Sequence, residues 1–422
     1  MAGKDLAVVV FGASGITGRQ VAAHLAERAG QTDLKWAAAG RDAEKVKRTL
    51  AEIGVEAPEI LVADVDDQAS LAAMADRAKV VIDVVGPYTL YGEPVIEACI
   101  AGRANYMDLT GEVPFVRRMI EAAHERAREA GVKIVNTSGF EAMPPDLLVL
   151  LAAETARERW SEELATADLD AVLPTNTNGA KLSDMISGGT MQSLAEVVGD
   201  PRAELAADPA AFITDADEAQ KVRNVSPIAI APRFNADGDV VVPMIPSPLI
   251  NPGVIQRTAS LLAAEEGRVF TPFRYREGVA IAGSTATVPL RFAAGGLMAG
   301  SQALSKALVK ASPSVRGKAS SFMRKRLPTS GFGPTGEKME EWSWSMAVNA
   351  KTVGGHFIRV DLEGDGQPGY LTTGKMLGEA GMLLSEDGAT PERSGFITPA
   401  AALGVGQVDR FRHAGARIQV SS

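Results

Sequence analysis

Along the first third of the chain, apolar residues alternate between two patterns. Short continuous runs are followed by stretches where they recur every three or four positions. Leu6–Phe11 (LAVVVF) is a continuous run of strand length. In Thr17–Ala29, Val21, Leu25 and Ala29 share one face while Arg19, Glu27 and Arg28 lie off it. Leu34–Ala39, Ile60–Ala63, Val80–Val85, Asn105–Leu109 and Lys133–Asn136 read as further strands. Gln68–Arg77, Gly92–Ala101 and Pro114–Ala130 read as helices between them. Strands apolar on both sides and alternating with helices predict a parallel sheet covered on both faces, an α/β fold.

After about Trp160 the pattern changes. Asp168–Leu173 reads as a strand, and Phe234–Val242 as a hairpin around Asp237-Gly238. Trp342, Trp344, Met346 and Val348 alternate with smaller or polar residues, as do Ile358, Val360 and Leu362 after Gly354-Gly355. Period-two alternation means one covered face, so a second α+β domain on a mainly antiparallel sheet is expected. Pro- and Gly-rich loops are read between about Asn224 and Gly253, and two helices, Thr372–Leu384 and Pro399–His413, close the chain. The expected division is 1–160 for the first domain and 161–369 for the second.

Composition removes several functional classes. A chain of 422 residues has room for large cores without disulfides, and its one cysteine, Cys99, excludes a disulfide framework and a cysteine-based zinc site. The four histidines are scattered without metal-ligand spacing, so no metal is expected. A net charge of −9 argues against nucleic acid as a partner. Met1–Asp5 runs straight into the first strand, without a signal-peptide pattern, which points to a cytoplasmic protein.

The charge is unevenly placed. Gly278–Gly336 holds eight basic residues and no Asp or Glu. Its first part, Gly278–Ser305, has Arg291 as its only charge, flanked by uncharged runs of 13 and 14 residues. These are too short to span a bilayer, which takes about 20 apolar residues. Lys306–Arg326 then adds seven positive charges. An apolar stretch interrupted by Pro289 and followed by a basic one suits an anionic membrane surface, with peripheral attachment beside a substrate cleft. The same residues also fit a solvated basic surface element or a lid over the protein's own core.

Gly12-Ala13-Ser14-Gly15-Ile16-Thr17-Gly18 joins the first strand to the first helix. Gly12 suits the tight turn, Gly15 lets backbone approach a pyrophosphate, and Gly18 allows close packing of helix on strand. That context predicts a dinucleotide site. The second strand ends not in the acid that would bind the ribose hydroxyls of NAD but in Gly40-Arg41-Asp42. Arg41 suits a 2′-phosphate, which favours NADP. Asp42 is either the cap of the next helix or a ribose contact, and Asp64 either an adenine neighbour or an ordinary turn residue. Gly86-Pro87 ends the fourth strand where such sheets bind ligand, placing Tyr88 and Tyr91 on the nicotinamide side or, alternatively, in packing roles.

Together these residues resemble the saccharopine-dehydrogenase-like NADP-binding oxidoreductases, and among them the trans-acting enoyl reductases. The resemblance is carried by Gly12–Gly18, Ala39-Gly40-Arg41, Gly86-Pro87-Tyr88 with Tyr91-Gly92, and Tyr106 with Asp108-Leu109 and Gly111-Glu112. Gly139-Phe140 with Pro144 and Asp146, Ser187–Thr190 with Ser193, and Thr398-Pro399-Ala400 with Gly404 extend it. Glu141-Ala142 departs from the family's usual Asp-Ser pair. The resemblance implies a Rossmann domain, NADPH-dependent reduction, and a closing segment, 370–422, that packs back on the first domain.

The expected chemistry is hydride transfer to an activated C=C bond of a lipid or isoprenoid-like substrate, with a proton delivered beside it. Proton-donor candidates are Tyr88, Tyr91, Thr190 and Ser193, with Lys181 further out. Gly188-Gly189-Thr190 would open a helix facing substrate, or simply cap it. The alternatives are reduction of a small imine or keto acid, for which Arg223, Arg233 and Arg257 are candidate carboxylate clamps, and a non-catalytic NADP-binding, lipid-associated protein.

Overall fold

A computed structural model describes residues 3–176, 188–243, 247–281, 283–327 and 339–422. Strands β1 (Leu6–Phe11), β2 (Trp36–Gly40), β3 (Ile60–Val62), β4 (Ala78–Asp83), β5 (Asn105–Asp108) and β6 (Lys133–Val135) alternate with five helices. These are α1 (Ile16–Ala29), α2 (Ala43–Ala51), α3 (Gln68–Arg77), α4 (Tyr88–Ala101) and α5 (Val113–Ala130). Then come α6 (Met143–Trp160), β7 (Leu164–Asn176), α7 (Gly188–Gly199), α8 (Ala216–Val225), β8 (Arg233–Phe234), β9 (Val240–Val242), α9 (Ser247–Glu265) and β10 (Arg274–Ile281). The chain ends with α10 (Val288–Val309), α11 (Pro313–Arg326), β11 (Trp342–Thr352), β12 (Phe357–Asp365), α12 (Thr373–Ser385), β13 (Gly395–Ile397), α13 (Pro399–Leu403) and β14 (Ala416–Ser421).

The first sheet is parallel throughout, in the order β13-β6-β5-β4-β1-β2-β3. Alternate residues of β1 feed two cores. Val8 and Val10 pack with α1 and α12, while Val9 and Phe11 pack with the α3, α4 and α5 side. Strand order reverses between β1 and β4, which opens a crevice at their carboxyl ends. The sheet is thus the doubly wound Rossmann arrangement.

The second sheet runs β14-β12-β11-β7-β10-β9-β8, and every pair is antiparallel except β7 with β10. Helix α6 packs on β11 and β12 and on α9, so it joins the two halves of the molecule.

Three differences from the sequence reading have physical causes. The supposed loop region up to Gly253 contains the start of α9; Pro252 removes one helix bond, but Val254, Ile255 and Leu262 are buried and hold the helix. Pro289 lies in the first turn of α10 and opens it instead of breaking an apolar segment, since a first-turn N–H has no helix partner to lose. The closing segment is divided. Helix α12 packs on α1 and β4, and β13 extends the first sheet beside β6, whereas β14 pairs with β12 in the second. The expected helix Pro399–His413 stops at Leu403, where Gly404 adopts φ +64°, and a 3-10 turn covers Val408–Ala414. Alternation of Ala416, Ile418 and Val420 with exposed polar residues is what makes the last segment a strand.

Candidate functional site

The turn after β1 is built from glycine for steric reasons. Gly12 has φ +90°, and a side chain there would come within 2.7 Å of Val85 Cγ2. A Cβ on Gly18 would lie 2.3 Å from the Gly12 carbonyl oxygen, so only glycine lets α1 start this close to the strand. Gly15 is extended at the helix N-cap and makes no side-chain cap. The N–H groups of Ile16, Thr17 and Gly18 therefore open outward, and a Cβ on Gly15 would meet only the Gly12 oxygen. An uncapped N-terminus floored by glycine fits a pyrophosphate.

Arg41 is exposed at the first position beyond β2 and makes no ion pair among the described residues. Asp42 caps α2 by accepting from the Lys45 N–H at 2.9 Å, which settles its role. Asp64 holds the turn before α3, where its carboxylate accepts from the Asp66 N–H at 3.1 Å.

At the carboxyl ends of the next strands, Asp83 and Asp108 are wholly buried. The Tyr106 hydroxyl lies between them, 3.1 Å from Asp83 and 2.9 Å from Asp108, and Asn136 donates to Asp108 at 2.6 Å. One phenolic proton serves one carboxylate, so the second contact requires a protonated acid. Burial pushes Asp108 up to about 7 and Asp83 well above its usual range.

Glu112, also wholly buried, caps α4 by accepting from the Tyr88 and Thr89 N–H groups at 2.9 and 2.7 Å. Ser193 on α7 donates to the same carboxylate at 2.7 Å, with its Oγ 3.9 Å from where a Cβ on Gly86 would stand. This bond ties α7 to the β4 turn.

In the turn after β6, Glu141 is open to solvent yet ringed by enough protein that burial raises its carboxyl. Asn251 of α9 donates to the Glu141 carbonyl at 2.6 Å and to Glu277 at 2.8 Å, and Tyr275 donates to Glu277 at 2.6 Å. Burial pushes Glu277 up to about 7. The second sheet thus reaches the carboxyl edge of the first.

The saccharopine dehydrogenase NADP-binding domain model matches residues 8–135. A protein of Mycobacterium tuberculosis, whose name as a trans-acting enoyl reductase is itself provisional, is 31% identical over 99% of this chain and 98% of its own. The chain belongs to this saccharopine-dehydrogenase-like family. A trans-acting enoyl reductase of Mycobacterium bovis is 29% identical over 98% of this chain and 97% of its own. The solved saccharopine dehydrogenase (L-Glu forming) of Saccharomyces cerevisiae aligns over 98% of this chain and 99% of its own, with 13% identity and a TM-score of 0.49. The protein is an NADP-dependent oxidoreductase, and the reading as a non-catalytic binding protein is set aside.

For a member of this family, the hydroxyl candidates separate clearly. Tyr88 is corrected to a packing residue: it is 5% exposed, and its hydroxyl donates to the Asp83 carbonyl oxygen at 3.1 Å. Burial pushes that phenol far above its usual range. Tyr91, one turn further along α4, is 37% exposed. Ser193 is beside Gly86, as described. Gly188 and Gly189 open α7, whereas Ser187, Lys181 and the side chain of Thr190 lie outside the described residues.

The three arginines do not converge. Arg223 pairs with Asp208 at 2.8 Å and Arg233 with Asp170 at 2.6 Å, while Arg257 donates to the Phe212 and Phe396 carbonyls at 2.7 and 2.6 Å. Sequence reasoning missed Glu141, Glu277 and Asn251 as neighbours. The only local signal was Glu141 itself, noted as a departure from the family's Asp-Ser.

Proposed function

We propose that the protein uses NADPH to reduce an activated carbon–carbon double bond of an apolar, lipid-type substrate. The observation that carries this reading is the fate of the candidate clamps. Arg223, Arg233 and Arg257 are each tied to separate partners within the chain, which disfavours a clamp for a small polycarboxylate. The enoyl reductase names of full-length relatives agree with it.

Bound NADPH would supply the hydride. Gly12–Gly18 would hold its pyrophosphate, Arg41 its 2′-phosphate, and Gly86 and Pro87 would floor its nicotinamide half. A proton must reach the neighbouring carbon, or an enolate oxygen first. Glu141 is the group we assign to this, because it stands exposed in the turn after β6, at the carboxyl edge of the first sheet, and its carboxyl is shifted toward the protonated form. Ser193, whose proton is directed to Glu112, positions the β4 turn.

The test compares lipids of a deletion strain with those of its parent by mass spectrometry. The expected result is accumulation of a species with one more unsaturation, which purified protein and NADPH then reduce. NADPH oxidation with soluble amino-acid imines, and none with lipid, would overturn the reading in favour of a saccharopine-type reaction.

A further inference from the structure

We propose that α10 and α11 form a docking face for an anionic phospholipid bilayer, with Leu290, Leu297 and Leu304 entering the interface and Lys318, Lys325 and Arg326 meeting the headgroups. The proposal goes beyond the enoyl reductase reading and does not depend on it.

Helix α10 is turned inside out. Leu290, Leu297 and Leu304 are 73%, 80% and 73% exposed. They recur every seven residues, with Ala293, Gly300 and Ala307 also exposed between or beyond them. This spacing sets one uncharged stripe, about 21 Å long at 1.5 Å per residue, on the outer side of the helix.

The inner side carries polar anchors beside Gly295 and Val309, and Val309 packs on Ala203 and Ala207. Arg291 is buried and donates to the carbonyls of Ile281, Gly283 and Ser284 at 2.7, 3.1 and 3.1 Å. Gln302 donates to the Pro243 carbonyl at 3.0 Å. Val309 and the Phe292–Phe234 ring contact also hold the helix, yet with buried polar anchors and three leucines facing out it departs from the usual amphipathic arrangement.

Helix α11 adds the charge. Val315, Lys318, Phe322 and Lys325 are all exposed, at the i, i+3, i+7, i+10 spacing of a single face. Lys318, Lys325 and Arg326 make no ion pair among the described residues, whereas Arg324 is held by Glu196 of α7 at 2.7 Å. An apolar stripe next to unpaired cations is complementary to an anionic interface. A second copy of this chain would bring like charges together. Among the described residues no helix is long and apolar enough to cross a membrane, so α10 would lie in the surface plane.

The face is linked to the cleft. Helix α11 packs along α7, and Ser193, six residues before Gly199 on α7, sits beside Gly86.

The experiment is co-sedimentation of the full chain with vesicles of phosphatidylglycerol and phosphatidylcholine at about a 1:2 ratio. Binding is expected at about 50 mM salt and should weaken at least tenfold at about 500 mM. Leu290→Ser with Leu297→Glu should weaken binding at least tenfold at either salt. Lys318→Glu with Lys325→Glu should weaken it at low salt and flatten the salt dependence. Both variants change exposed residues only, and NADPH titration checks that they fold. No binding to anionic vesicles, equal binding to phosphatidylcholine alone, or wild-type binding by the leucine variant overturns the proposal. A dimer that Leu297→Glu converts to monomer, without vesicle binding, also overturns it and assigns the face to self-association.

Discussion

Arg41 and Asp42 are adjacent residues whose roles sequence left partly open and structure separates. Asp42 is committed to the α2 cap, while the Arg41 guanidinium stands exposed and unpaired among the described residues. A charge-assisted phosphate contact contributes about 1.5–3 kcal/mol. Arg41→Ala should therefore cost NADPH about 10–100-fold in affinity and leave NADH nearly unchanged. Fluorescence titration of both cofactors checks this, and equal wild-type affinities would contradict the assignment. Glu141→Gln should lower kcat by about 100-fold or more, as expected for loss of a general acid, with NADPH affinity kept. Because Glu141 must be protonated to act, wild-type kcat should fall as pH rises through its raised pKa. The variant should lack that fall. The glycines and Arg41 were legible because their chemistry follows from a local turn. Tyr88 was misread because sequence places a residue at a strand end without telling which way its hydroxyl faces.

Elements with a single packing role were the easiest to read. The first six strands are short apolar runs between helices, and each formed within a few residues of the reading. Of the helices that escaped, α6 and α9 are buried on nearly all sides, so no apolar stripe marks them. Helix α10 has a stripe, but it faces outward, and only the structure shows that Arg291 and Gln302 hold the inner side. Helix α12 depends on small residues. A Cβ on Gly374 would lie 2.4 Å from Gln20 Cβ and 2.9 Å from backbone of α1, and Gly378 and Gly381 press on His24 and Ile82. Gly374→Ala should thus destabilise the protein by about 1–3 kcal/mol, since the backbone it meets cannot turn aside. Urea unfolding measures this; a neutral effect would mean that the helices separate without cost.

At the scale of the whole molecule, several acids are buried where domains and strands meet. Asp146 accepts from Thr258 at 2.6 Å and from the Ala400 N–H at 2.8 Å, joining α6, α9 and α13. Burial pushes Asp146 and Glu277, like Asp108, up to about 7. Their unfolded values lie near 4. Between these limits the folded state holds more protons than the unfolded one, so stability falls as pH rises. Denaturant unfolding should show a more stable protein at about pH 5 than at about pH 8, by on the order of a few kcal/mol. Asp146→Asn should flatten that slope, and stability rising across this range would refute the account. None of this was readable beforehand: sequence displays Asp146 beside Pro145 but not the residues from distant segments that enclose it.

The division of the closing segment has a consequence for biosynthesis. Strand β6 ends at Val135, but its neighbour β13 begins only at Gly395, and α12, which covers Val8 and Ile82, starts at Thr373. At about 5–20 residues per second, a ribosome needs roughly 13–52 s between delivering one and the other. During that interval the nucleotide-binding half has one apolar face only partly covered, by α1, and an unpaired sheet edge. The nascent chain is therefore exposed to aggregation over that interval, and a fragment that stops before α12 should precipitate instead of binding NADPH.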